Sequence, residues 1–176
     1  MEILIEKKVP SFPFAELIDA HGEAVYKFCR SLTYSAEDAD DLFQETFLRA
    51  FEHSVNDIDF PQGFLFSTAL YIWKKWKTKY ARRNRIAPVV PLDDTIPGNA
   101  DVEAGVIMQE EARIVREAVD SLPEKFKIPT ILHYTMDMSI QDIALTMEIP
   151  AGTVKSRLHK ARKLIEEGMI KLGYGK

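Results

Sequence analysis

Two stretches of the chain carry the residue types that bind polyanions. Residues 74–85 (KKWKTKYARRNR) hold seven lysines and arginines without one acid, and residues 155–163 (KSRLHKARK) hold five more, again without an acid. These 21 positions contain 12 of the 23 basic side chains, although the 176-residue chain is net negative at −4. Residues 87–111 are the converse, with Asp93, Asp94, Asp101, Glu103, Glu110 and Glu111 and no lysine or arginine. Charge segregated in this way marks a protein that touches polyanions at two separate places.

Other chemistry is not indicated. There is no glycine-rich phosphate loop, and no nucleophile has a histidine and an acid near it in sequence. The four histidines, at 21, 53, 133 and 159, lack metal-ligand spacing, and Asp38, Asp40 and Asp41 lack partner ligands. The expectation is a protein that is not an enzyme, with no cofactor, no metal and no small-molecule substrate. The single cysteine, Cys29, cannot form an internal disulfide and falls near an apolar helical stripe, where it reads as a small buried hydrophobe. With no apolar run near the ~18 residues that cross a bilayer and no signal-peptide pattern, a cytoplasmic chain without membrane insertion is expected.

The elements that must position the basic runs follow from periodicity. Phe14, Leu17, Ile18, Ala24, Val25, Phe28 and Leu32 recur at helical spacing, interrupted by His21 and Gly22, and predict a helix of roughly 20 residues. Ser35 can cap a second helix, with Glu37 and Asp38 in its first turn and a core stripe of Ala39, Leu42, Phe43, Thr46, Phe47, Ala50 and Phe51. After a loop over 54–63, Leu65, Phe66, Ala69, Ile72, Trp73, Trp76 and Tyr80 share one side of a third helix. Lys74, Lys75 and Lys79 lie on the other side with Tyr71 and Phe64.

Residues 87–101 (APVVPLDDTIPGNAD) combine three prolines with three aspartates and read as a linker. Beyond it an amphipathic stretch ends near Val119. Ser121-Leu122-Pro123-Glu124 offers a capping box for a helix to about Tyr134, which Pro129 should kink or shorten. Ser139 should cap a short helix through Met147, and Glu148–Gly152 should turn into a last helix from Thr153 to about Glu167. That helix would put Val154, Leu158, Ala161 and Ile165 inside and Lys155, Ser156, His159, Lys160 and Lys163 outside, the geometry of a helix-turn-helix with a basic face.

Two segments, AEDADDLFQETFLRAF at 36–51 and SIQDIALTMEIPAGTVKSRLHKAR at 139–162, together resemble the bacterial RNA polymerase sigma factors of the extracytoplasmic-function group, within the sigma-70 family. The resemblance implies an all-α fold of two small domains on a flexible linker. Residues 11–86 would bind the polymerase clamp and the minus-10 element, 87–105 would be the acidic linker, and 106–172 would be the minus-35-binding domain. Core RNA polymerase, promoter DNA and an anti-sigma factor are the implied partners, and promoter-specific transcription initiation is the implied function. The rival is a stand-alone helix-turn-helix regulator that binds duplex operator, which would give the 36–51 helix no role.

The site residues follow by joining position to resemblance. Lys155, Ser156, His159, Lys160 and Arg162 would face the minus-35 major groove and its phosphates, and His133 aligns with an arginine that some relatives use there. Phe64 and Tyr71, on the lysine side of the third helix, are the candidates for displaced minus-10 bases, whereas Trp73, Trp76 and Tyr80 fall on the side expected to pack. Asn56 and Phe60 lie in the loop that captures a flipped base in the family. Lys74, Lys75, Lys79, Arg82 and Arg83 are candidates for phosphate contacts at the upstream edge. On the second helix Asp41, Gln44, Glu45 and Leu48 share the outer side, and the matching positions of the family dock on a coiled coil of the polymerase clamp.

Overall fold

A computed structural model describes residues 14–33, 35–52, 59–86 and 106–171; of Phe14, 81–86 and 106–112 it describes the helical backbone only. The described residues form α-helices and no strand: α1 (Phe14–Leu32), α2 (Ala36–Glu52), α3 (Pro61–Ile86), α4 (Val106–Asp120), α5 (Glu124–Tyr134), α6 (Ile140–Met147) and α7 (Ala151–Lys171). They fall into two compact units, α1–α3 and α4–α7. The expected linker at 87–105 lies outside the described residues.

In the first unit each pair of helices is in contact. Leu17, Val25, Phe28 and Leu32 of α1 meet Ala39, Leu42, Phe47 and Ala50 of α2 and Leu65, Phe66, Ala69, Leu70 and Ile72 of α3 in a closed core. The rings of Phe28 and Phe66 pack at 4.8 Å, and Phe43 bridges to Tyr26 and Phe47. α2 starts where expected, because Ser35 Oγ accepts the Asp38 N–H at 3.0 Å. Gly22 does not interrupt α1; a Cβ there would meet Ile18 at 3.4 Å and the Phe43 ring edge at 3.9 Å, ordinary van der Waals contacts.

Two assignments of the core are corrected. Phe51 is 50% exposed. It sits about 140° round the helix from Thr46, the middle of the buried stripe, and Ala50 takes the inward place. Tyr80 is 56% exposed, and Trp73 and Trp76 are only half-buried. Trp76 and Tyr80 lie beside Asp38 and Asp41 in the first turns of α2, a polar stretch that offers no apolar partner, and the closed core ends at Ile72.

In the second unit α7 is the hub, touching α4, α5 and α6. Val154, Leu158 and Ala161 pack against Ile114, Ala118, Ile128, Ile131, Leu132 and Ile143. The capping box expected at Ser121 is absent. Ser121 instead finishes α4 with its hydroxyl on the Ala118 carbonyl at 2.8 Å, and Pro123 precedes α5 without a side-chain cap. Lys127 pairs with Asp120 at 2.7 Å across that turn. α5 runs through Pro129, which is buried, and Thr130 Oγ1 donates to the Phe126 carbonyl at 2.8 Å.

Ser139 caps α6 as expected, accepting from the Asp142 N–H at 3.1 Å and donating to its carboxylate at 2.7 Å. α6 then ends on Glu148 in the left-handed conformation, φ 53°, with its N–H on the Ala144 and Leu145 carbonyls. α7 begins two residues before the expected Thr153 and runs on to Lys171. The Pro150 carbonyl accepts the N–H groups of both Thr153 and Val154, which brings Ala151 and Gly152 into the first turn.

One buried hydroxyl is left over. Thr46 and Thr130 bond a carbonyl four residues back, but Thr146 Oγ1 has no partner among the described residues. An unpaired buried hydroxyl costs about 1–3 kcal/mol, and a non-glycine residue in the left-handed region roughly 1–2 kcal/mol. Thr146→Val should therefore stabilise this unit by about 1–2 kcal/mol, and Glu148→Gly by about 1 kcal/mol. Urea denaturation measures both, and an unchanged midpoint for Thr146→Val would mean that the hydroxyl is hydrogen-bonded.

Candidate polymerase and promoter interfaces

Because the inner stripe of α2 is used by α1 and α3, its outer side faces solvent. There Asp41, Gln44 and Leu48 are exposed, Leu48 at 63%, and Phe51 joins them as a second exposed apolar side chain. Glu45, expected on the same outer side, leans toward α3. One oxygen of its carboxylate accepts the indole N–H of Trp76 at 3.1 Å, and the other lies 3.5 Å from the Arg49 guanidinium. Arg49 in turn sits over the Tyr71 ring, 5.3 Å from its centre.

On α3 the expected lysine side is present. Lys74, Lys75 and Lys79 are exposed, and Tyr71 among them is 57% exposed. Phe64 and Phe60 are half-buried, and the Phe60 carbonyl takes the Phe64 N–H at 3.1 Å to open the helix. Lys77 lies 4.7 Å over the centre of the Trp73 ring. Asn56 lies outside the described residues, as do the side chains of Phe14, Arg82 and Arg83.

α7 brings Lys155, Ser156, His159, Lys160 and Lys163 onto one exposed side, as its spacing requires. Ser156 Oγ is turned back onto the Thr153 carbonyl at 2.9 Å. Arg162 belongs to a different edge of the helix: its Nε donates to the Tyr134 hydroxyl at 2.6 Å, with the guanidinium over the Tyr134 ring. His133 is half-buried, its Nδ1 on the Met138 carbonyl at 2.9 Å and its ring edge-on to Tyr134. Beside Arg162 and Tyr134 opens an apolar groove of about 800 Å³ between α4, α5 and α7, lined by Val115, Val119, Ile131, Ile165 and Met169.

Arg49, Tyr134 and the Trp76–Glu45 hydrogen bond do not stand out in the sequence. Arg49 is within reach of sequence reasoning, standing four residues after Glu45 on one helix face. The other two join residues 28 and 31 positions apart and have no local signal. No group of three or more His, Cys, Asp and Glu able to hold a metal occurs among the described residues, and no described helix is long and apolar enough to cross a membrane.

Residues 17–85 match the family model for sigma-70 region 2, and residues 112–165 that for sigma-70 region 4. The sigma-E factor of Haemophilus influenzae, described as an ECF RNA polymerase sigma factor, is 31% identical over 142 positions, covering 75% of each chain. The chain belongs to the extracytoplasmic-function group of sigma-70 factors. The ECF sigma factor SigW of Bacillus subtilis is 26% identical over 187 positions, covering 95% of this chain and 97% of that one. The fold matches the sigma factor RpoE of Bartonella quintana, solved in complex with the anti-sigma factor NepR, with TM-score 0.74 and 21% identity over 89% of this chain and 96% of that one. An ECF factor is an alternative sigma factor, the subunit that directs RNA polymerase to particular promoters.

In this sigma factor Cys29 takes no part in either surface. It is fully buried in α1, and burial pushes its thiol up to about 12. At pH 8 the thiolate that alkylating reagents attack is therefore scarce and enclosed. Iodoacetamide should label native protein far more slowly than protein unfolded in urea, and mass spectrometry of the time course checks this. Equal rates would place Cys29 at the surface.

Proposed function

We propose that the two units divide the work of promoter recognition. The α1–α3 unit docks on the polymerase clamp through Asp41, Gln44 and Leu48 of α2, with Glu45 at the edge of the contact. Its α3 meets the opened minus-10 region with Tyr71 and Phe64 against bases and Lys74, Lys75, Lys79, Arg82 and Arg83 against phosphates. Asn56 and Phe60 belong to the loop preceding α3, which takes a flipped base in this reading. The α4–α7 unit reads the minus-35 duplex with Lys155, Ser156, His159 and Lys160. Arg162 and His133 serve that surface from its border, where Tyr134 holds the one and the Met138 carbonyl the other.

The observation that carries this reading is Leu48. A leucine 63% exposed on a helix whose inner stripe is already complete contributes nothing to the fold, and an apolar centre ringed by Asp41 and Gln44 has the composition of a docking surface. A stand-alone operator-binding regulator would have no use for it. The protein acts in the cytoplasm, where its polymerase is. An anti-sigma factor holds it inactive, a partner that RpoE of Bartonella quintana is seen to have.

Leu48→Ala combined with Gln44→Ala should leave helicity and melting temperature nearly unchanged. Affinity for core polymerase, measured by competition against another sigma factor, should fall at least tenfold, ~1.4 kcal/mol. A double mutant that competes as well as the parent would remove the clamp assignment. With that holoenzyme contact intact, Lys155→Ala and Lys160→Ala should each reduce the slope of log affinity against log salt by about 0.9 for every phosphate that the lysine neutralises. An unchanged slope in both would place the minus-35 surface elsewhere.

A further inference from the structure

The α2 face read as the polymerase contact and the α3 face read as the base contact are joined by a single side chain. Arg49 stands between them, 3.5 Å from one oxygen of Glu45 and 5.3 Å from the centre of the Tyr71 ring. The other Glu45 oxygen is held by Trp76 at 3.1 Å, so the carboxylate is held at two points and anchors Arg49. We propose that Arg49 is a positioning residue for promoter opening: it orients Tyr71 as a stacking platform and ties that platform to the polymerase-facing side of α2. The inference rests on reading Tyr71 as a contact for a displaced base.

A tyrosine 57% exposed in the middle of a helix has freedom about both side-chain torsions, and a platform free to turn loses that freedom when a base stacks on it. A guanidinium over one face of the ring restricts it beforehand through the attraction between the cation and the ring quadrupole. With one face taken by Arg49, the other remains for a base, and the arginine adds positive charge beside Lys74 and Lys75, where the phosphates of the same strand would run. Arg49 is itself partly exposed and lies outside the closed core, so its place is set by Glu45 and Tyr71 rather than by apolar packing.

The chain of contacts also has a direction. Trp76 and Glu45 belong to the α2–α3 packing and are fixed by the fold, Arg49 is fixed by Glu45, and Tyr71 is fixed by Arg49. A partner that docks on α2 and draws Glu45 toward itself must loosen Arg49, and one that leaves Glu45 in place keeps Tyr71 ordered. Arg49 should therefore matter for the opening step and little for the affinity of docking.

The test uses holoenzyme assembled from purified core polymerase, on a promoter selected from a library by transcription with the parent factor. Opening is read from the fluorescence of 2-aminopurine in the minus-10 non-template strand, and docking from competition with another sigma factor. Tyr71→Ala is expected to lower the open fraction about tenfold. Arg49→Ala should lower it at least threefold with core affinity within twofold of the parent, and the double variant should open no worse than Tyr71→Ala alone. Arg49→Lys, which keeps a cation over the ring and within reach of Glu45, should restore opening to within twofold. If Arg49→Ala fails to fold, Arg49→Gln keeps much of the side chain's length without its charge and should show the same opening defect. Normal opening by a folded arginine variant beside a defective Tyr71→Ala would overturn the positioning role and leave the base contact standing. Strictly additive defects, or an equal loss of docking and opening, would overturn it as well. Normal opening by Tyr71→Ala would remove the base contact and the inference with it.

Discussion

The close contact of α2 with α3 is the constraint from which the N-terminal unit takes its shape. Ala39 and Ala50 on α2 and Ala69 on α3 are completely buried, and such small side chains let two helices approach until longer residues at the edges of the seam touch. The contacts at those edges follow: Trp76 reaches Glu45 and Tyr71 meets Arg49 further along, so the helices run in opposite directions. Once α2 is committed to α3 and α1 on its inner side, Asp41, Gln44 and Leu48 have nowhere to go but outward. Once α3 is committed along Leu65, Phe66, Ala69 and Ile72, its lysines have no choice either. The surfaces proposed to meet partners are what the packing leaves over.

The C-terminal unit solves the same problem with one helix. α7 supplies Val154, Leu158 and Ala161 to the core and Lys155, His159 and Lys160 to solvent, so the alignment of the basic face is fixed by how those three apolar side chains seat against α4, α5 and α6. The turn that delivers α7 carries two unfavourable features: a left-handed glutamate at 148 and, just before it, the unpaired hydroxyl of Thr146. Both lie outside the stripe that seats α7. The geometry of the basic face therefore does not depend on them, and their cost falls on stability rather than on alignment.

Much of this is legible in the sequence because it is local. Ser35 and Ser139 announce their helices by hydroxyls placed three residues before an N–H that needs a partner, and the structure uses both. The two motifs at 36–51 and 139–162 identify the family and with it the all-α, two-domain plan. Periodicity gives the phase of each helix but not what its neighbour offers at each turn, which is why Phe51 and Tyr80 are expected in a core that ends before them. Pro150 misleads for a related reason: proline reads as a break, yet its carbonyl accepts from Thr153 and Val154 and starts the helix early. The outward residues of α7 can be read off a wheel, whereas the turn of Arg162 toward Tyr134 and the stacking of Arg49 on Tyr71 depend on where a second helix lies.

Charge explains how such a chain can be selective. With a net charge of −4 the protein as a whole is repelled by DNA, so each basic face must act at short range, within a Debye length of roughly 8 Å at physiological salt. On the proposed assignment a few exposed lysines on α3 and a few on α7 would each release only a few counterions, and affinity built from so few phosphate contacts is weak at physiological salt. The two faces become strong together only when something sets them at the spacing of two promoter elements, because a second contact made by a tethered domain gains effective concentration only where the span fits. Core polymerase is that scaffold for a sigma factor. On the proposed assignment the weakness of each basic face alone is what makes recognition conditional: DNA sites elsewhere would offer phosphates to one face at a time, and only a promoter within the holoenzyme would offer both at once.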